Sequence, residues 1–370
     1  MVWSIPLMLP ELGEEEINSV VSVLKSSWLV MGEITEKFEL SFAKKLNVKH
    51  AIAVTNGTAA LHLANVALGI TSGDEVICPV LTFIASANAS RYTGASVVFA
   101  NAVSPEDLTV DCKDIENKIT SRTKAITVVH YAGFSCDMEK VLAIAKKYNL
   151  YIVEDCAHAP CVKYKYSTGK EEQLGTIGDI GCFSFFGNKN ITTGEGGMLT
   201  TNNDELASKL RALRSHGMNV LSYDKIKGHR SNYGISCLGY NYRIDDIRSA
   251  IGLAQLEKVD QINNTRRNLV SLYRKYLVKK DNIIIPFLQK DLNYSSCHIM
   301  PIFVTSGREE VVSNLTKAGI QTSRHYTAIV DFSLYKDLFF YKNMEYDNLL
   351  TLPLFTSMTE DQIRYISSFV

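Results

Sequence analysis

The stretch GCFSFFGNKNITTGEGG, residues 181–197, places Lys189 in a turn rich in Gly, Thr and Asn, between apolar runs at 181–186 and 198–201. Lysine is rarely buried without a task. A desolvated lysine has a lowered pKa and becomes a nucleophile able to form an imine with an aldehyde. The surrounding glycines let backbone approach a planar ring closely. Taken alone, the stretch reads better as a solvated loop lysine beside a hairpin, so its meaning depends on what surrounds it.

Upstream, short β-rich runs alternate with helix-period segments. Runs at 51–54, 75–79, 96–100, 125–130 and 150–154 read as strands. Ala60, Leu63, Ala64, Ala67 and Leu68 recur at helical spacing, as do Val141, Ile144, Ala145 and Tyr148 behind a capping Asp137. A helical pattern covers 82–92, and Asp204 is the expected cap of a helix carrying Leu206, Leu210 and Leu213. Strands alternating with helices predict an α/β fold with a large, mainly parallel mixed sheet between helices. After residue 218 the pattern changes. A polar segment at 219–237 is followed by a long helical pattern at 245–277, a strand at 298–305 and helices at 309–317 and 359–369. The expected division is a large domain over 1–250 and a smaller α+β domain over 251–370.

Composition narrows the function classes. The 370 residues carry 39 basic and 39 acidic side chains, which offers no electrostatic case for nucleic acid or an anionic membrane. None of the eight cysteines forms a CxxC pair and most sit among apolar residues, the pattern of reduced thiols in a cytoplasmic protein. The sequence shows no signal-peptide pattern and no apolar run long enough to span a bilayer. The histidines have no metal-ligand spacing.

Two further elements bear on Lys189. Asp155 closes the apolar run 150–154, and ligands in such sheets sit at the carboxyl ends of strands. A pyridine cofactor such as pyridoxal 5′-phosphate (PLP) needs a carboxylate there to keep its ring nitrogen protonated. The segment Thr55-Asn-Gly-Thr-Ala-Ala60 is a strand–turn–helix junction, where free N–H groups and a hydroxyl suit a phosphate, and Ser184 could add another hydroxyl. The same residues are also ordinary helix-capping chemistry. The junction lacks the GxGxxG expected of a nicotinamide-binding α/β enzyme.

Together, residues 55–58, 154–158, 184–197 and 239–243 resemble the DegT/StrS-type sugar aminotransferases, a branch of the fold-type I, aspartate aminotransferase-like PLP enzymes. The resemblance runs from Ser27-Trp28-Leu29 to His325-Tyr326, and residues 183–197 are similar to those of GDP-perosamine synthase-like members. It implies that Lys189 carries the cofactor, that Asp155 pairs with the pyridine nitrogen, and that Gly57, Thr58 and Ser184 hold the phosphate. It places Phe83 against the ring and His158, where many members have Gln, on the ring's other side or near its 3-hydroxyl. Asn241 would reach the cofactor phosphate of a neighbouring subunit, which implies a homodimer with shared active sites. His325 and Tyr326 match positions that face the sugar, and Arg230, within the Lys225/Lys227/His229/Arg230 cluster, could contact a diphosphate or carboxylate. The implied reaction moves an amino group from an amino-acid donor, L-glutamate by resemblance, to a keto-sugar. Related dehydratases carry histidine at the position of Lys189, and a PLP-binding regulator without turnover is the alternative from another class.

Overall fold

The computed structural model describes residues 3–218, 234–335 and 342–370. Two helices, α1 (Glu14–Ser26) and α2 (Glu33–Leu46), precede the first strand, β1 (His50–Val54). Next come α3 (Gly57–Ala67), β2 (Glu75–Pro79), α4 (Ile84–Arg91), β3 (Ser96–Ala100) and a hairpin of β4 (Ala102–Ser104) and β5 (Asp107–Val110). The chain continues through α5 (Cys112–Asn117), β6 (Thr123–Val129), α6 (Met138–Tyr148), β7 (Tyr151–Asp155) and a second hairpin, β8 (Lys163–Lys165) with β9 (Glu171–Gln173). Then follow β10 (Ile180–Ser184), β11 (Gly197–Thr201) and α7 (Asp204–Arg214).

Seven of these strands form one sheet in the order β1-β11-β10-β7-β6-β2-β3. Only β11 runs against the others. Successive side chains point to opposite faces. Thus Ala51 and Ala53 of β1 enter one core with Phe38, Phe42 and Val259, while Ile52 and Val54 enter a second with Leu63, Leu199 and Leu210. Ile152 and Val153, and likewise Phe183 and Cys182, divide in the same way. Helices therefore cover both faces, as the alternating sequence predicts.

The C-terminal part contains α8 (Asp246–Leu277), β12 (Ile283–Ile284), β13 (Met300–Val304), α9 (Arg308–Lys317), β14 (Leu349–Leu352) and α10 (Glu360–Ser368). The three strands form an antiparallel sheet in the order β12-β13-β14. Helix α8 belongs to both cores. Its Leu256 and Val259 pack with the large sheet, while Leu269, Val270, Tyr273 and Leu277 pack with Met300, Ile302 and Leu352. The expected division between 250 and 251 falls inside this helix. The chain start is tied to the C-terminal part as well: the N–H groups of Ser4 and Ile5 donate to the Gly319 carbonyl, just after α9, at 2.9 and 3.1 Å.

One local expectation needs correction. The cap of α7 is Asn203, whose side chain accepts from the N–H groups of Glu205 and Leu206, and not Asp204. Asp204 instead sits 2.7 Å from His50 Nε2. Helices α1 and α2, unassigned in the sequence reading, both pack against α8.

Candidate active site

The parallel strands deliver their carboxyl ends to one edge of the large sheet, and a cavity of about 420 Å³ opens there. Gly57 and Thr58 enter it from the turn after β1, Thr82 and Phe83 from the turn after β2, Asp155 and His158 from the end of β7, and Ser184 from the end of β10. Because β11 reverses direction, the β10–β11 connection crosses this edge and carries Lys189 into the same cavity. His325 and Tyr326, from the C-terminal part, close the wall.

Asp155 is buried, 5% exposed. Its Oδ2 accepts from Ser86 Oγ at 2.7 Å and its Oδ1 from the Ala157 N–H at 3.1 Å. Burial pushes the carboxyl above its usual range, while Ser86, the Ala157 N–H and Lys189 pull it back down. A cation brought beside it would meet a carboxylate short of a full partner. Burial also lowers the Lys189 ammonium to about 8, opposed by Asp155. An amine in that range is a usable nucleophile and proton carrier near neutral pH.

On the wall after β1, Asn56 caps α3 by accepting from the Ala59 N–H at 2.8 Å. The first intrahelical bond runs from Ala60 N to Asn56 O, so the N–H groups of Gly57 and Thr58 precede it. A Cβ on Gly57 would lie 2.8 Å from Ser184 Cβ, so glycine is what lets the turn and the strand end meet. This is an anion cradle of backbone donors with Ser184 beside it. The cradle, the buried carboxylate and the depressed lysine are the three groups that a phosphorylated pyridine aldehyde requires, so the residues present fit PLP.

The aromatic and imidazole walls are tightly tied. The Ala132 N–H donates to His158 Nδ1 at 3.2 Å, which leaves His158 Nε2 to donate to Tyr326 Oη at 2.8 Å. Burial, with Lys189 and His325 nearby, holds His158 well below its ordinary value, so it is neutral. Tyr131 Oη donates to the His325 carbonyl, and His325 Nδ1 lies 3.0 Å from Thr351 Oγ1. The exposed Phe83 ring sits 5.8 Å from that of Tyr326.

Of the remaining expected residues, Asn241 lies outside this cavity and Arg230 outside the described residues. Asn241 is exposed and bridges to Ser215. The neighbouring Tyr242 carbonyl accepts from the Thr55 N–H at 2.9 Å, which places the segment beside the cradle. Arg230, with Lys225, Lys227 and His229, lies outside the described residues.

The sequence reading missed Ser86, His298 and Glu154. Ser86 stands four residues after Thr82, and the two hydroxyls are 2.8 Å apart. That spacing at a helix start was visible, but its target, Asp155, was not. Glu154 is fully buried. Its four acceptor positions are filled by the N–H groups of Gly175, Ile177 and Gly178 and by His130 Nε2. Glu154 and His130 therefore form a structural anchor for the turn before β10, with Cys156 close by.

Among the described residues no disulfide occurs, and no helix is long and apolar enough to cross a membrane.

Residues 10–370 match the DegT/DnrJ/EryC1/StrS aminotransferase family. The chain is 39% identical over 370 residues to the GDP-perosamine synthase of Escherichia coli O157:H7, covering 98% of this chain and 96% of that protein. Among solved structures, it is similar to PseC of Helicobacter pylori, an aminotransferase involved in pseudoaminic acid biosynthesis. That likeness has a TM-score of 0.88 at 28% identity and covers 100% of this chain and 98% of the other. It is also similar to Spr1654 of Streptococcus pneumoniae in its PLP form, with a TM-score of 0.87 at 27% identity, covering 99% and 97% of the two chains.

Proposed function

The chain belongs to the DegT/DnrJ/EryC1/StrS aminotransferase family and is a PLP-dependent sugar aminotransferase; from that premise we propose that it transfers an amino group from L-glutamate to a nucleotide-linked 4-keto-6-deoxy sugar. The observation that carries the reading is the convergence of Lys189, Asp155 and the Gly57/Thr58/Ser184 cradle on one cavity. The likeness to a GDP-perosamine synthase supports a guanosine diphosphate sugar as the first substrate to test.

Bound PLP supplies an electron sink for the carbon that loses its proton. Asp155, steadied by Ser86 and the Ala157 N–H, would hold the ring nitrogen protonated. Gly57, Thr58 and Ser184 would hold the phosphate, and Phe83 and His158 would flank the ring. Lys189 would take the proton from the substrate carbon and return it one position away, the task for which an amine lowered to about 8 is suited. His325 and Tyr326 would meet the sugar. Asn241, exposed beside the cradle, would reach the site of a second protomer in a homodimer.

The test has two arms. Adding L-glutamate to the PLP-loaded protein should release 2-oxoglutarate in one equivalent per site, and a GDP-linked 4-keto-6-deoxy sugar should then restore the starting spectrum. Absence of release with every amino donor would support a regulator. Deoxygenation of the sugar without amination would support a dehydratase, although Lys189 stands where those relatives carry histidine.

A further inference from the structure

His298 is fully buried on the segment leading into β13, and its Nε2 lies 3.5 Å from Lys189 Nζ. Its protonation pattern follows from a chain of groups that can only donate or only accept. The Pro160 carbonyl accepts from Asn263 Nδ2 at 3.0 Å, so Asn263 Oδ1 is the atom that meets Asn190. Asn190 Nδ2 donates to that oxygen at 2.8 Å and to the Ser296 carbonyl at 2.9 Å. Asn190 must therefore present its oxygen to His298 Nδ1, 2.9 Å away. The imidazole proton is on Nδ1, and Nε2 faces the lysine with a lone pair. The ring has little freedom to turn. The His298 N–H donates to the Ala132 carbonyl at 3.0 Å, and the His298 carbonyl accepts from Arg266 at 2.6 Å.

We propose that His298 is a positioning residue for Lys189: through the Pro160–Asn263–Asn190 relay it offers Nζ a fixed, unprotonated nitrogen acceptor that holds the free amine in one orientation whenever its own bond to the cofactor is open. The proposal rests on reading Lys189 as the reacting amine. An unanchored lysine side chain, with its many rotamers, would have to find its line of approach anew in each half-reaction, and a single directional acceptor removes that search.

The groups around the pair agree with a neutral ring. His298 meets the His158 ring at 4.3 Å, and Lys189, Arg266 and His325 also face it. Burial, the Lys189 ammonium and the Arg266 guanidinium all disfavour a charge on it. Lys189 faces Asp155 from β7 besides these.

The experiment uses full-length protein stripped of PLP and labelled with ¹⁵N-histidine. The His298 signals, identified by their loss in His298→Gln, should show a protonated Nδ1 and an unprotonated Nε2 at neutral pH. A protonated Nε2, alone or in an imidazolium, overturns the proposal. The second readout is the pH dependence of Lys189 labelling by an amine-reactive ester, followed by mass spectrometry. A neutral acceptor stabilises the ammonium, so His298→Leu should lower the inflection by about one pH unit. His298→Gln, whose carbonyl can still accept, should stay near wild type. A rise in His298→Leu would mean a cation had been removed, and with an unchanged inflection the role is lost. Should His298→Leu not fold, the nitrogen assignment in the wild type and the His298→Gln inflection still decide the matter. PLP titration of the same wild-type sample separates the two levels. A protein that never takes up PLP sinks the reading of the cavity, whereas uptake with a protonated Nε2 sinks only the part given to His298.

Discussion

Ser86 Oγ donates to Asp155 Oδ2 across 2.7 Å, and since a hydroxyl has one proton to give, Thr82 must donate to Ser86. The start of α4 thus feeds a two-step relay into the carboxylate at the end of β7. Ser86→Ala removes the stronger of its two donors. Hydrogen bonds to charged groups are worth about 1.5 kcal/mol, so PLP affinity should fall about tenfold in a spectrophotometric titration. Unchanged affinity would remove the relay from the account of the site.

Gly57→Ala should do comparable damage at the cradle. Its new methyl would lie 2.8 Å from Ser184 Cβ, and both neighbours are backbone-anchored. Overpacking of this kind costs about 1–3 kcal/mol. The expected result is a loss of about fivefold to about a hundredfold in affinity for PLP and for inorganic phosphate, with the far-ultraviolet circular dichroism of the wild type retained. Equal loss of overall stability in urea would show instead that the turn was structural only.

Glu154→Gln should leave the cavity's chemistry in place but loosen the frame. An amide nitrogen would replace one of two oxygens that accept from three backbone N–H groups and His130. Breaking a buried charged network from one side costs about 3 kcal/mol, read as a lowered urea midpoint. A midpoint equal to wild type contradicts the anchoring role.

The buried imidazoles set an acid limit. His325 is held down at about 4 by burial and the nearby Lys189, against 6.5 for a free histidine. Between those values the unfolded chain takes up a proton that the folded chain refuses, so stability falls as pH drops from about 6.5 to about 4. His158 and His298 act in the same direction. Urea midpoints across this range should decline, and His325→Gln should shallow the decline by up to about 1.4 kcal/mol per pH unit. An identical slope in the variant would place the proton uptake elsewhere.

Mixing two inactive variants tests the homodimer. Random pairing of Lys189→Ala with Asn241→Ala protomers makes half the dimers hybrid, and each hybrid holds one intact site if Asn241 acts across the interface. Activity should return to about a quarter of wild type. No recovery, with hybrids verified by mass, means Asn241 serves its own chain or none.

Much of this architecture was readable from local pattern. The limits of β2 and β3 follow the apolar runs, Asp137 caps its helix as expected, and the helices expected at 245–277 and 359–369 start one residue later, with Asp245 and Thr359 as their caps. Lys189, Asp155, Gly57, Thr58 and Ser184 each end or follow a strand, but it was the resemblance of residues 55–58, 154–158 and 184–197 to a known family that grouped them. The residues that tune them were not legible. Ser86 lies 69 positions from Asp155, and His298 lies 109 from Lys189. No local periodicity encodes such a meeting. The cap of α7 shifted by one residue because Asn203 and Asp204 are both good caps, and β11 and His50 decided between them through tertiary contacts.

The cavity wall is assembled from chain segments as far apart as Asn56 and Tyr326. The consequence is one of timing. As the chain leaves the ribosome, the cradle after β1, the carboxylate of β7 and the lysine between β10 and β11 are synthesised in that order, and His325 and Tyr326, which would meet the sugar, come last. The groups that would hold the cofactor thus all precede α8, and the wall that would meet the second substrate is laid down after it.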